Sequence, residues 1–164
     1  SQEIIAMMDG AELLKQYALG QRNFASSNLL ETDLIAAELS GIDLSHADLR
    51  QCRLGRANFS QADFRGADLS EALLWGTDLT EANLVGGASH LENRAILREA
   101  DLSGAKLIRS QLVGAYLAKA SLCGAILAGA NLAGAILTGA DLTGTLLADA
   151  DLRGATMPDG SIHG

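Results

Sequence analysis

A leucine or its close equivalent recurs every five residues in this chain. From Phe24 to Leu84 every fifth position is Leu or Phe, and after one break of phase the beat resumes at Leu97 and runs to Met157. All 26 centres are Leu, Phe or Met, and all 3 Phe residues are among them. Neither regular element has this period. A helix repeats at 3.6 and a strand at 2, and leucines five apart drift around a helix by about 140° per step. Each unit of five must therefore be a short extended segment that ends in a turn.

The other positions of the unit support that reading. Two residues before the centre stands Ala in 7 of the first 13 units and in 11 of the second 13. Thr32, Cys52, Thr77, Ser110 and Thr145 are small substitutes there, whereas Arg22 and Ile42 are large and depart from the rule. One residue before the centre is Asp or Asn in 10 of the first 13 units, but in the second 13 only at Asp101, Asn131, Asp141 and Asp151. Gly follows the centre by two in 8 units of the second block. That is the third position of a turn starting at the centre, where a type II turn needs φ > 0 and favours Gly. Turning after every five residues closes a coil, and stacked coils can pair about 4.8 Å apart. Leucine and alanine then point inward, and the other three positions point out.

The motif resembles that of the pentapeptide repeat family, Ala-Asp/Asn-Leu-X-X, carried here by Ala67-Asp68-Leu69, Ala82-Asn83-Leu84, Ala100-Asp101-Leu102 and Ala140-Asp141-Leu142. The resemblance implies an all-β solenoid: a right-handed quadrilateral β-helix with four units per coil. The stretches LLKQYALGQRNF and MPDGSIH also resemble the termini of cyanobacterial members. The departure is in the second block, where Ile96, Tyr116, Ile126, Ile136 and Leu146 replace Asp or Asn.

Five regions follow. Residues 1–21 form an N-terminal cap with a short helix over 9–18, started by Asp9 and made apolar on one face by Leu13, Leu14 and Tyr17. A solenoid needs its terminal coil covered, so this helix is predicted to lie over Phe24 and its neighbours. Residues 22–86 are the first block, 87–94 the phase break, 95–159 the second block and 160–164 a tail. If Leu91 fills one inward site of the break, the solenoid is continuous, with about 27 units in roughly 6 to 7 coils about 30 Å long. Two solenoids joined by a linker are the alternative, which leaves two coil ends exposed. At the far end Pro158 suits the second position of a turn followed by Asp159-Gly160. This end is less covered and suggests self-association through the C-terminal coil.

Composition limits the function. The net charge of −8 argues against a nucleic-acid surface, which needs clustered Lys and Arg. No apolar run approaches the roughly 18 residues of a membrane helix, and Asp9, Glu12 and Lys15 stand where a signal peptide needs an apolar stretch. Cys52 and Cys123 have no metal spacing and suit packing in a reducing compartment. A cytoplasmic location is expected. His46, His90 and His163 fit no metal motif, and Cys123 has no evident activating base. The recurrent glycines are turn glycines, not a phosphate loop. No cofactor and no catalysis are therefore expected.

What remains is surface. With four units per coil, residues 20 apart stack, so Ile96, Tyr116 and Ile136 share one face of the second block, and Ile126 and Leu146 share the opposite face near Ile108. In the first block Ile35, Leu73 and Trp75 share a face, and Trp75 is the chain's 1 tryptophan. Apolar stripes and aromatic residues mark partner sites. The expected function is a scaffold presenting flat faces to a protein partner. The family resemblance raises an alternative, a DNA mimic that binds DNA gyrase. Residues 22–86 are net −5 and residues 95–159 net −1, however, with Arg98, Lys106, Arg109 and Lys119 interrupting the second block.

Overall fold

The computed structural model describes residues 7–85 and 95–164. Its backbone turns after every unit, and each unit contributes one side of a four-sided coil. The coils pair through single parallel bridges between residues 20 apart, such as Asn23↔Asp43, Asp43↔Asp63 and Tyr116↔Ile136. The bridged residue is always the one before the centre, so four ladders run along the molecule. They are named here by their first repeat residue: Asn23, Asn28, Asp33 and Glu38.

Every side repeats the same hydrogen bonds. The Leu44 N–H donates to the Asp63 carbonyl at 2.8 Å, and the Asp63 N–H donates back to Ile42 at 2.9 Å. The His46 N–H donates to Arg65 at 2.8 Å, and the turn is closed by Ala47 N–H to the Leu44 carbonyl at 3.1 Å. Parallel bonding between coils and a turn within each side thus satisfy most of the backbone while two residues of every five point inward.

The third turn position has φ between 53° and 73° at every described unit from Ser26 to Gly154. Glycine was expected there, yet 13 of these residues are not glycine, among them Ala36, His46, Gln61 and Lys119. The N–H at this position donates to the next coil, as Ala36 does to Gly55 at 2.8 Å and Gln61 to Thr80 at 2.8 Å. Asp149 of the last coil keeps φ 59° without such a bond among the described residues, so the turn itself imposes a left-handed conformation that costs a non-glycine residue about 1–2 kcal/mol.

The core is the inward column. Leu39, Leu44, Leu54, Phe59 and Phe64 are fully buried, and the Phe59 and Phe64 rings meet edge-on at 5.2 Å and 72°. Small residues fill the second inward position. Ile42 is 0% exposed there despite its size, whereas Arg22, at the open start of the coil, lies outside with its guanidinium 3.7 Å from the Tyr17 ring centroid. The polar substitutes are satisfied locally. Thr77 and Ser110 hydroxyls donate to the carbonyls of Leu74 and Leu107 at 2.8 and 2.7 Å, and the Cys52 thiol donates to Leu29 at 2.8 Å.

Across the phase break the ladders continue with a step of 28: Asp68↔Ile96, Leu73↔Asp101, Asp78↔Lys106 and Asn83↔Gln111. The side of Asn83 is therefore followed by the side of Ile96, and the 26 units run in unbroken rotation. The inward site expected for Leu91 lies outside the described residues.

The helix α1 runs Gly10–Ala18, with the Asp9 carboxylate accepting from the Glu12 N–H at 2.8 Å. Before it, Met7 pairs with Asn28. Leu13 is fully buried in the core, while Leu14, expected on the same face, is 39% exposed. At the other end Pro158 holds the second position of the turn closed by Gly160 N–H to the Met157 carbonyl. The chain then reverses, and Ile162 pairs antiparallel with Thr156. Among the described residues no helix is long and apolar enough to cross a membrane.

Candidate partner surface

The ladders explain why Asp and Asn dominate the position before the centre. The carboxylate or amide oxygen of Asp43, Asn58, Asp101 and Asn131 accepts the backbone N–H two residues on, at 2.9–3.1 Å. This is the Asx turn, and it satisfies an N–H that the inter-coil bonds leave free. Ile96, Ile126, Ile136 and Leu146 have no acceptor to offer. The N–H groups of Arg98, Ala128, Thr138 and Ala148 accordingly make no hydrogen bond among the described residues. Each apolar replacement gives up a bond worth about 0.5–1.5 kcal/mol net.

The replacements gather on two ladders. Ile96, Tyr116 and Ile136 bridge one another in the Asn28 ladder, all half-buried. Two further rungs continue it: Thr156, then Ile162 of the reversed tail, 65% exposed. Ile162 falls on the five-residue beat, five after Met157, which would place it inward, but it pairs antiparallel on the outside instead. The Asp159-Gly160 turn was the available signal. Ile126 and Leu146 lie on the Glu38 ladder, headed by Lys106, with Leu146 57% exposed. The two ladders occupy opposite sides of the coil, so one flat partner covers only one of them.

Trp75 lies on a third side. Its indole folds back across Gly55 of the coil before, so close that a Cβ on Gly55 would meet the ring. The Arg56 guanidinium stands 5.8 Å from its centroid. Gly55 is thus not a turn glycine but the floor under the tryptophan. Ile35 stands in the same column beyond Gly55, and Leu73, 40% exposed, lies on the same side. The structure does not bring Trp75 together with Ile96, Tyr116 and Ile136.

The titratable groups are arranged for turn and surface stability. Arg50, Arg65 and Arg153 pair with Asp48, Asp63 and Asp151 two residues earlier, at 2.8, 2.6 and 2.7 Å. The Arg50 hydrogen bond holds Asp48 below its ordinary value, and the Arg153 hydrogen bond holds Asp151 down to about 2. Burial alone would raise Asp63, but Arg65 outweighs it. Asp141 sits at about 2, held by the Thr143 hydroxyl and then by Cys123. Cys123 therefore has a carboxylate neighbour, Asp141, that the sequence did not indicate. Burial pushes Cys52 up to about 12. Arg50, Ser70, Glu71 and Arg98 line an open hollow of about 220 Å³. His46 is exposed, its ring over Gly66. His163 is part of the reversed tail, and His90 lies outside the described residues. Among the described residues no three His, Cys, Asp or Glu converge as metal ligands.

Comparison with known proteins agrees with this architecture. Eight copies of the pentapeptide repeat match residues 19–51, 57–87, 95–127 and 125–159. The crystal structure of HetL, a pentapeptide repeat protein involved in heterocyst differentiation regulation from the cyanobacterium Nostoc sp. strain PCC 7120, is 38% identical, with 95% of this chain and 100% of that one covered and a TM-score of 0.66. Trypsin-treated QnrB1, a plasmid-mediated fluoroquinolone resistance protein, is 21% identical over 82% of this chain and 71% of its own, with a TM-score of 0.52, a likeness of fold alone. Rfr23 from the cyanobacterium Cyanothece 51142 is 28% identical over 87% and 95%, with a TM-score of 0.36. No curated protein matches the chain. The repeat matches span most of the sequence, and the chain belongs to the pentapeptide repeat family.

Proposed function

We propose that this protein is a non-catalytic interaction scaffold, a right-handed four-sided β-helix capped at its start by α1, that presents a flat apolar face to a regulatory protein partner. The face is the Ile96–Tyr116–Ile136 ladder. One observation carries the reading: on this ladder Ile96 and Ile136 give up the Asx bond and, with Tyr116 between them, put apolar surface on the outside of the coil. The 38% identity to a protein involved in differentiation regulation, over nearly the whole of both chains, supports a regulatory role. Ile126 and Leu146 on the opposite side, and Trp75 beside Leu73, are secondary surfaces in the same reading. Two free cysteines, one of them buried, favour a reducing, cytoplasmic location.

The test is capture of a partner from native extract by the full chain and by Tyr116→Glu. The variant is expected to keep its unfolding midpoint, because Tyr116 points away from the core, and to lose the captured protein. Capture undiminished by Tyr116→Glu would remove this ladder as the site.

The alternative, a DNA mimic acting on gyrase, needs a sustained negative face. Arg50, Arg53 and Arg65 each pair with an aspartate of the acidic block, Arg53 with Asp33 at 3.6 Å. This charge pattern favours the scaffold. Gyrase supercoiling is expected to proceed unchanged at tens of micromolar protein, and inhibition would reverse the preference.

A further inference from the structure

One charged unit recurs along the coil. Arginine stands one residue after the centre at Arg50, Arg65, Arg98 and Arg153. At all of these but Arg98 an aspartate stands two residues earlier, and its carboxylate takes three donors from the same arginine. Asp48 accepts the Arg50 N–H at 3.2 Å, Nε at 2.8 Å and Nη2 at 2.8 Å. Asp63 accepts those of Arg65 at 3.0, 2.9 and 2.6 Å. Asp151 accepts those of Arg153 at 3.0, 3.0 and 2.7 Å. One backbone N–H and one edge of a planar guanidinium thus form a grip fitted to a carboxylate. The grip favours the ionised form: Asp151 is held down to about 2 by the Arg153 side chain and then by its N–H.

At Arg98 the aspartate is replaced by Ile96. The Arg98 N–H makes no hydrogen bond among the described residues. Its exposed guanidinium makes no hydrogen bond or ion pair among them either. All three donors of the grip are therefore open on one outer side of the coil. Beside them lies the hollow of about 220 Å³ that Arg98 lines with Arg50, Ser70 and Glu71. Its other polar groups are already engaged. Arg50 is held by Asp48, the Ser70 hydroxyl donates to Asp68 at 2.5 Å, and Glu71 accepts from the Gln51 amide at 2.8 Å. Glu71, Glu99 and Lys119 share this side, so net charge does not select a ligand here. The three-donor geometry does.

We propose that Arg98 is the binding site for a carboxylate supplied by another molecule, held by the Arg98 N–H, Nε and Nη2 as Asp48 is held by Arg50. Asp48, Asp63 and Asp151 show within the same chain that these donors match a carboxylate. Its source is an aspartate or glutamate of the protein that covers the Ile96–Tyr116–Ile136 ladder. That source rests on the scaffold reading, whereas the site itself does not. Ile96 and Arg98 stand two residues apart on one side of the coil. Side chains two apart in an extended segment also share a face. A partner segment that reads apolar, any residue, acidic therefore sets its apolar side chain on Ile96 and its carboxylate on Arg98.

The test is titration of the 15N-labelled full chain with the peptide acetyl-Leu-Ser-Asp-Ser-amide. Saturable downfield shifts are expected at the Arg98 N–H and Nε–H, the mark of new hydrogen bonds. The same peptide with asparagine in place of aspartate should give neither. Arg98→Gln should weaken binding about fivefold, the upper end for one exposed ion pair. Ile96→Asp should shift the Arg98 N–H without peptide and abolish the response to it, because the carboxylate then comes from the chain itself. No saturable shift at Arg98 at large peptide excess overturns the proposal, as does an equal response to the asparagine peptide or binding that survives Ile96→Asp. Inorganic phosphate saturating the same signals more tightly than the peptide makes this a phosphate site and overturns the carboxylate. The flank is tested apart from the site. If Tyr116→Glu keeps its captured partner while Arg98 answers the peptide, the apolar ladder falls and the carboxylate site stands. If capture is lost while Arg98 stays silent, the ladder stands and this site falls.

Discussion

At the residue scale, backbone conformation and burial separate cleanly, and each has its own test. Gly124 has φ +66° and open space where a Cβ would go, so Gly124→Ala meets only conformational strain. It should cost about 1–2 kcal/mol in urea unfolding. Ala36, exposed at φ 59°, is the reverse case. Ala36→Gly relieves that strain but loosens the unfolded chain by about 0.4–1 kcal/mol, so a small gain is expected. Gly55 carries no positive φ, and Gly55→Ala should act by displacing the Trp75 ring, visible as a change in its fluorescence. Burial sets the other contrast. Leu107→Ala in the inward column should cost about 2–5 kcal/mol. Asp101→Ala, which removes one Asx bond to Ser103, should cost about 1 kcal/mol. Equal costs would mean that the ladder position is not on the outside.

At the element scale, the unit was legible because its period belongs to no other regular element. The inward column from Phe24 to Met157, the turn after each centre and the stacking of Tyr116 on Ile136 all follow from counting in fives. What the count did not reveal depends on the third dimension. Positive φ at Gln61 or Lys119 is invisible in residue type, because the position in the turn sets it whatever the side chain. Ile162 keeps the beat but pairs antiparallel with Thr156 on the outside, which the count does not show. The step of 28 from Asp68 to Ile96 is fixed only by pairing. The candidate ladder was legible as departures from the motif, whereas the Asx bonds those departures give up required geometry. The two ends should also differ in dynamics. Hydrogen exchange is expected to be slow at Leu122, whose N–H donates to Asp141 at 2.8 Å, and fast at Leu142, which lacks the next coil. Equal protection would mean that the last coil is covered.

At the scale of the whole molecule, the described coil is filled by its own leucines, phenylalanines and alanines. Acid sensitivity should come from the ladders. Asp141 and Asp151 have folded values of about 2 against 3.8 for the free group. Groups lowered on folding contribute stability above the unfolded value and lose it as pH falls through the folded one. Urea midpoints should therefore decline between pH 3.8 and about 2, and Asp151→Asn should flatten part of that decline. The central claim, that the rod works by offering its apolar flank to a protein, is tested most directly by amide hydrogen exchange of the full chain alone and in complex with its captured partner. The account expects added protection along Ile96, Tyr116 and Ile136. Protection confined to the Asn23 ladder, at Asp43, Asp63 and Asn131, would contradict it.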